Sequence, residues 1–302
     1  MRNPLSTGPM VIWLAALPFL VGCSDEVGGV DPDLTVDLSC TIEQSEIFNG
    51  GPGKDGIPAL TDPTMVSPGD PGAQYLRADD RVMGLLLEDQ VLAIPLNILW
   101  WHEIVNLNLP GRQVAVTHCP LTGSSLVFDR ASVAGAELGV SGLLYRNNLI
   151  MYDRTSGESL WPQMLREASC GPNTGQDLEM VAVVEMTWEG WRTLHPETGV
   201  VSGDNGFRRN YQSYPYGNYA ALNNDQLLFP LSGGIDSRRP PKERVLGIPV
   251  GSGGQSFPFG ELASLGAVAV VTWENDVVFW DGSRQAAMAY QPVLDGEPLT
   301  LR

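Results

Sequence analysis

The stretch Val114-Ala-Val-Thr-His-Cys-Pro-Leu-Thr-Gly-Ser-Ser-Leu-Val-Phe-Asp-Arg130 reads as a strand, a Cys-Pro-Leu-Thr-Gly-Ser-Ser turn and a second strand. Period-two alternation sends Val114, Val116 and His118 to one face and Ala115, Thr117 and Cys119 to the other. The thiol of Cys119 therefore stands at a strand end, beside a proline that cannot continue a backbone ladder. A turn on a rigid scaffold is where proteins often expose a reactive or ligating group, so the pattern predicts an exposed site at Cys119.

Outward from this pair, Val82 to Leu87 and Val91 to Leu96 read as a hairpin around Glu88-Asp89. Leu96 to Val105 reads as a helix with Ile98, Leu99, His102 and Val105 on one side, broken by Asn108-Leu-Pro-Gly111. Glu137 to Tyr145 and Leu149 to Asp153 form a second hairpin around Arg146-Asn147-Asn148, since Asn tolerates positive φ. Leu178 to Glu185 reads as a strand. Thr187 to Leu194 reads as a short helix with Thr187 as N-cap, closed by His195-Pro196. Residues 206–219, rich in aromatics and arginine without a period, read as an ordered loop. Arg81-Val-Met-Gly-Leu, Ala93-Ile-Pro-Leu96 and Leu99 align at constant offset with Arg244-Val-Leu-Gly-Ile, Ser256-Phe-Pro-Phe259 and Leu262. The expected fold is α+β, mostly antiparallel sheet with short helices and pseudo-duplicated ββαβ units (residues 81–130 and 244–290) inside one domain of residues 76–302.

The first 22 residues carry a different signal. Arg2, the apolar run Val11 to Phe19 and Leu20-Val-Gly-Cys23 resemble a bacterial lipoprotein signal, whose apolar core is too short to span a bilayer. That resemblance implies cleavage before Cys23, lipid on Cys23 and, with Ser24 following, an outer-membrane location facing the periplasm or the cell surface. An ordinary secretory signal with an incidental Cys23 is the other reading. Residues 23–75 read as a tether and an extended arm: Val36 to Ile42 suits a short strand, and Gly50-Gly-Pro-Gly-Lys-Asp-Gly56 with prolines 58, 63, 68 and 71 excludes long regular elements. With 18 Lys+Arg against 35 Asp+Glu, the net charge of −17 disfavours nucleic acid and leaves the lipid as the membrane contact.

Once Cys23 is lipidated, Cys40, Cys119 and Cys170 remain. Cys40 and Cys170, both in loop-like surroundings, form the expected disulfide and leave Cys119 free. A free thiol in an exported chain is either a metal ligand or nucleophile, or a buried small hydrophobe. His102, His118 and His195 are the only histidines. Each is either a satisfied structural residue or a ligand. If His102 and His195 converge on Cys119, the set suits copper, or zinc with a further ligand from His118, Met151, Met164 or Glu103. Three readings follow: a protein holding one transition-metal ion, an enzyme with Cys119 as nucleophile and His102 or His195 as base, and a binding module using the aromatic loop Tyr211 to Tyr219 on a glycan or a protein. No phosphate loop, nucleotide fingerprint, zincin helix or nucleophile elbow is present, so no nucleotide cofactor is expected.

Trp101-His-Glu-Ile-Val-Asn106, Gly111 to Gly123, Leu126-Val-Phe-Asp-Arg130, Gly139 to Tyr145, Leu149 to Arg154, Ser159-Leu-Trp161, Trp188 to Pro196, Pro215-Tyr-Gly-Asn-Tyr219 and Lys242 to Gly247 resemble bacterial domain-of-unknown-function family 3179, from about residue 81 to 290. The family motif usually reads Tyr-Cys-Pro-Leu-Cys-Gly, where this chain has His118 and Thr122. The resemblance implies a Cys2His2 ligand inventory in typical members. Here it falls to Cys119, His102 and His195, with His118 or Thr122 as substitutes.

Overall fold

A computed structural model of the chain describes residues 40–87, 89–231, 234–250, 253–294 and 297–298. The signal, Cys23 and most of the strand expected at Val36 to Ile42 lie outside these residues, as does Glu88.

The arm contributes β1 (Ile47–Asn49), β2 (Leu60–Thr61) and β3 (Met65–Val66). The hairpin β4 (Arg81–Leu87) and β5 (Gln90–Pro95) leads into α1 (Leu96–His102), then β6 (Ile104–Leu109), β7 (Arg112–Cys119) and β8 (Ser124–Asp129). β9 (Leu138–Tyr145), β10 (Asn148–Asp153) and β11 (Leu160–Pro162) follow, then β12 (Val184–Thr187), α2 (Trp188–Leu194) and β13 (Gly199–Val201). The last third holds β14 (Val245–Val250), β15 (Gly253–Pro258), α3 (Phe259–Leu265), β16 (Val268–Trp273), β17 (Asp276–Asp281) and β18 (Ala286–Tyr290). The class is α+β, with antiparallel pairing throughout except where β2 joins β6 and β13 joins β5.

The layers are set by β7. Its sheet, ordered β2-β6-β7-β8, lies between the β12-β4-β5-β13-β3 sheet with α1 and the β1-β9-β10-β11 sheet. Val114 and Val116 enter a core with Met83, Leu85, Ile94, Ile98 and Leu99. Ala115 and Cys119 enter a second core with Phe128, Leu138, Met151 and Trp161. Trp161, Trp188 and Trp191 are all core residues. Gly84 has to be glycine, because a Cβ there would sit 2.1 Å from the Trp191 ring.

The last third has its own core of Phe257, Leu262, Val278 and Trp280. It joins the main body through Thr187 N–H to Arg284 O and the Arg81 guanidinium to Gln285 O.

Three boundaries differ from the sequence reading. The helix stops at His102, not Val105, because Glu103 takes φ 57° and turns the chain into β6. Leu96 belongs to that helix. Residues 178–183 make one isolated bridge, Met180 to Phe128, and the strand begins only at Val184. Thr187 does cap α2, its hydroxyl accepting from Gly190 N–H, and Arg146 and Asn147 turn the β9–β10 hairpin at positive φ. Among the described residues no helix is long and apolar enough to cross a membrane.

Cys40 and Cys170 are joined by a disulfide across a sequence separation of 130 residues. Closing a loop of that length removes unfolded-state entropy worth about 5 kcal/mol at most. The double variant Cys40→Ser/Cys170→Ser is therefore expected to unfold at markedly lower urea concentration than the parent. Equal midpoints would show that the tie contributes nothing.

Candidate functional site

Strand β7 delivers Cys119 to the second core. Of the two readings of this thiol the buried one holds: it is 1% accessible, because the β9–β10 turn closes over it and Sγ–H points to Asn147 O at 3.7 Å. Burial, then the neighbouring Glu103 carboxyl, pushes its pKa up, against hydrogen bonds from Thr122 and Leu149. The thiol form is thus favoured, the opposite of what a nucleophile requires.

Glu103 is the second acid at this corner. A non-glycine residue at φ 57° carries backbone strain, here held by Glu103 N–H to Leu99 O and His118 N–H to Glu103 O, both 2.8 Å. Its side chain has no hydrogen bond or ion pair among the described residues, and burial alone pushes its pKa to about 8.

The aromatic loop covers both groups. Tyr214 donates to Pro120 O at 3.1 Å and packs edge-on against Trp100 at 5.2 Å, with Tyr216 next at 5.5 Å. Burial raises both phenols, Tyr214 to about 12; Glu103 and Cys119 add to the rise at Tyr216. Asn147 fastens the loop further along, donating to Phe229 O and accepting from Phe229 N–H.

The three histidines are placed apart in role. His102 is buried at the end of α1. Its Nδ1–H donates to Pro58 O at 2.7 Å, and Nε2 is hydrogen-bonded with the Tyr211 hydroxyl at 2.8 Å. Burial lowers its pKa, the bond to Pro58 opposes, and Arg209 lowers it further. His195 closes α2 with its ring on Trp191, centroids 4.3 Å apart. His118 faces away from Cys119 and donates through Nδ1 to Ser125 Oγ at 3.0 Å; Ser125 donates in turn to Glu185 at 2.7 Å. The hydroxyl proton of Ser125 is thus committed to the Glu185 carboxylate. Burial pushes Glu185 up, but Arg81 and Arg244 outweigh it and hold the carboxyl below its usual range. These are the leading arginines of the two aligned sequence segments, and both reach one carboxylate.

Among the described residues, no three of His, Cys, Asp and Glu are grouped to hold a metal ion. The Cys119, His102 and His195 set is not assembled, and both ring nitrogens of His102 are already engaged. Met151 is packed in the core and Met164 lies on the surface. The Asp-Arg pairs that end β8 and β10 make structural contacts: Asp129 binds Arg112, while Arg130 bonds to Gly135 O and Leu107 O. Asp153 holds Trp161 Nε1 and Asn173, and Arg154 pairs with Asp55 and Glu137.

What His102 does is position Tyr211. With Asn97 donating to Tyr211 O at 2.8 Å, it fixes one wall of an open cleft of about 760 Å³. The cleft runs between the arm and the start of the aromatic loop, lined by Tyr75, Tyr211, Asp204, Arg209, Asn210 and Gln212. Tyr75 and Tyr211 pack at 5.7 Å, and Tyr75 donates to Val201 O at 2.7 Å. A smaller cleft of about 550 Å³, acidic with Asp62, Asp89 and Glu197, lies elsewhere. Sequence reasoning missed Tyr75, since an isolated tyrosine in an irregular arm carries no periodic signal.

Two outcomes follow. Cys119 in the native protein resists alkylation at neutral pH and reacts only on unfolding; rapid native labelling would overturn the buried-thiol assignment. The second is a pH dependence. Glu103 ionises near 4.5 unfolded and near 8 folded, so the folded state keeps a proton that the unfolded state has lost, and stability falls as pH rises through that window. His118 has the reverse sign: burial lowers it from 6.5 to about 4, so its contribution is lost as pH falls through that range. The two slopes oppose each other between 4.5 and 6.5. Above 6.5 Glu103 acts alone, with about 2 kcal/mol lost by pH 8. Urea midpoints are expected to drop from pH 6.5 to 8 in the parent and to stay level in Glu103→Gln.

No curated protein and no solved structure matches this chain. The family described as protein of unknown function, DUF3179, matches residues 54–302, beginning inside the arm and taking in every element that builds the corner and the cleft. The chain belongs to that family.

Proposed function

We propose that the protein is an exported, lipid-anchored binding protein whose Tyr75–Tyr211 cleft takes neutral sugar rings of a glycan. The cleft itself carries the reading. It offers the half-buried Tyr75 ring, backed by the buried Tyr211, for the apolar face of a sugar, and the planar polar ends of Asn210, Gln212, Asp204 and Arg209 for its hydroxyl edge. A net charge of −17 disfavours polyanionic ligands, which favours an uncharged one.

The exported location is supported by the lipoprotein-like Leu20-Val-Gly-Cys23 and by a disulfide, which persists in oxidising compartments. Cys23 would carry the lipid and hold the protein at the outer membrane, facing the periplasm or the cell surface. The cysteine-nucleophile reading has less support, because burial and Glu103 both favour the protonated thiol and no histidine is hydrogen-bonded to it.

Binding is measured with the mature chain against neutral oligosaccharides and peptidoglycan fragments, by intrinsic fluorescence and saturation-transfer NMR. Tyr75→Ala and Asn210→Ala are expected to weaken binding at least tenfold, while Cys119→Ser leaves it unchanged. Equal binding by all three variants, or none by the parent, would refute the assignment.

A further inference from the structure

The β1-β9-β10-β11 sheet has one face toward β7 and one outward. On the outward face Cys40, tied to Cys170, packs with Ile47 and Tyr145 over Ile150 and Tyr152. Residues 24–39 connect this point to Cys23. Fully extended they reach at most about 60 Å, which bounds how far Cys40 stands from whatever holds Cys23.

The β9–β10 turn ends the same sheet. Arg146 is exposed there, its guanidinium 5.3 Å from the Tyr145 ring and paired with Glu46 at 3.0 Å. Two other segments are pinned to this turn. Asn147 bonds to Phe229 O at 2.9 Å and Phe229 N–H at 3.0 Å, and the Phe229 ring lies 6.4 Å from that of Phe48 in β1. Asn148 Oδ1 accepts from Met164 N–H at 3.0 Å. Beside these anchors Leu228 is 54% exposed, Met164 56% and Leu165 42%. Consecutive asparagines thus gather three large apolar side chains that the fold leaves in water.

The surroundings fit a lipid surface. Tyr and Arg have apolar bodies and polar ends, which suits them to the headgroup level, with Leu and Met below it. The Glu46–Arg146 pair neutralises the turn, so a chain of net charge −17 can approach zwitterionic lipid there. A tether raises the effective concentration of the surface, which sustains a contact too weak to form from solution. We propose that the β9–β10 turn, with Leu228, Met164 and Leu165, docks on the surface of the bilayer that holds the Cys23 lipid. This docking rests on the lipid-anchor reading and is independent of the glycan cleft.

The test uses the lipidated mature protein in phosphatidylcholine vesicles that contain a nitroxide-bearing lipid. An environment-sensitive fluorophore is placed on Leu228→Cys, on Met164→Cys and, as control, on Val270→Cys, an equally exposed apolar position of β16 (54%). Quenching by the nitroxide is expected to be about threefold or more stronger at the first two than at the control. Adding Leu165→Asp is expected to weaken quenching at Met164→Cys. Intact mass reads the acyl chains on Cys23 separately. A Cys23 without them refutes the anchoring reading and the docking with it. Acyl chains present with equal quenching at all three positions overturns the docking alone. So does a blue shift at Leu228→Cys and Met164→Cys that follows protein density and not the nitroxide, which would assign this end to a second copy of the chain.

Discussion

The constraint on which the rest of the molecule depends is that β7 is buried on both faces. Most strands at a domain surface give one face to solvent, and their sequence alternates accordingly. From Val114 to Cys119 every residue is buried, with Val114 and Val116 in one core and Ala115 and Cys119 in the other. A one-residue slip would exchange His118 with Cys119 and put an imidazole where a thiol fits. The neighbouring strands fix this register: Ile104 opposes Thr117 on one side and Leu126 opposes it on the other. The sheets on either flank then have no alternative seat.

Burial on both faces forces polar side chains on β7 to find partners inside the protein. Thr117 donates to Leu126 O and accepts from Gln163, which in turn meets Asn148 and Ser124. His118 uses Ser125, and through it Glu185 with its two arginines. Satisfied networks of this kind specify a single packing, because a slipped or rotated neighbour leaves several buried groups unpaired at once. Glu103 departs from the pattern. It pays for both a positive φ and an unpaired carboxyl, and such departures from local rules are expected at functional sites.

Much of this was legible in the residues. Alternation placed His118 and Cys119 on opposite faces, Asn147 marked the β9–β10 turn, and Thr187 marked the start of α2. The helix boundary was not legible, because Ile104 and Val105 continue the apolar period of Ile98 and Leu99 while the chain has already turned at Glu103. Between an exposed and a buried Cys119 the residues left both readings open, for a similar reason: a strand end next to proline is open in a two-layer sheet, and here a third layer closes it. Nothing local in the sequence announces that layer. The pairing of His102 with Tyr211, 109 positions apart, is likewise a tertiary fact. The histidine offered only its residue type, equally suited to a ligand or to a buried hydrogen-bonding strut.

Adjacent residues at one helix end therefore serve different places. His102 turns to Tyr211 and the cleft, while Glu103 turns the chain into β6. The aromatic loop runs across both, with Tyr211 in the cleft wall and Tyr216 over the corner, separated by five positions along one chain segment. The loop is held by Asn97 at Tyr211, by Pro120 O at Tyr214 and by Asn147 at Phe229.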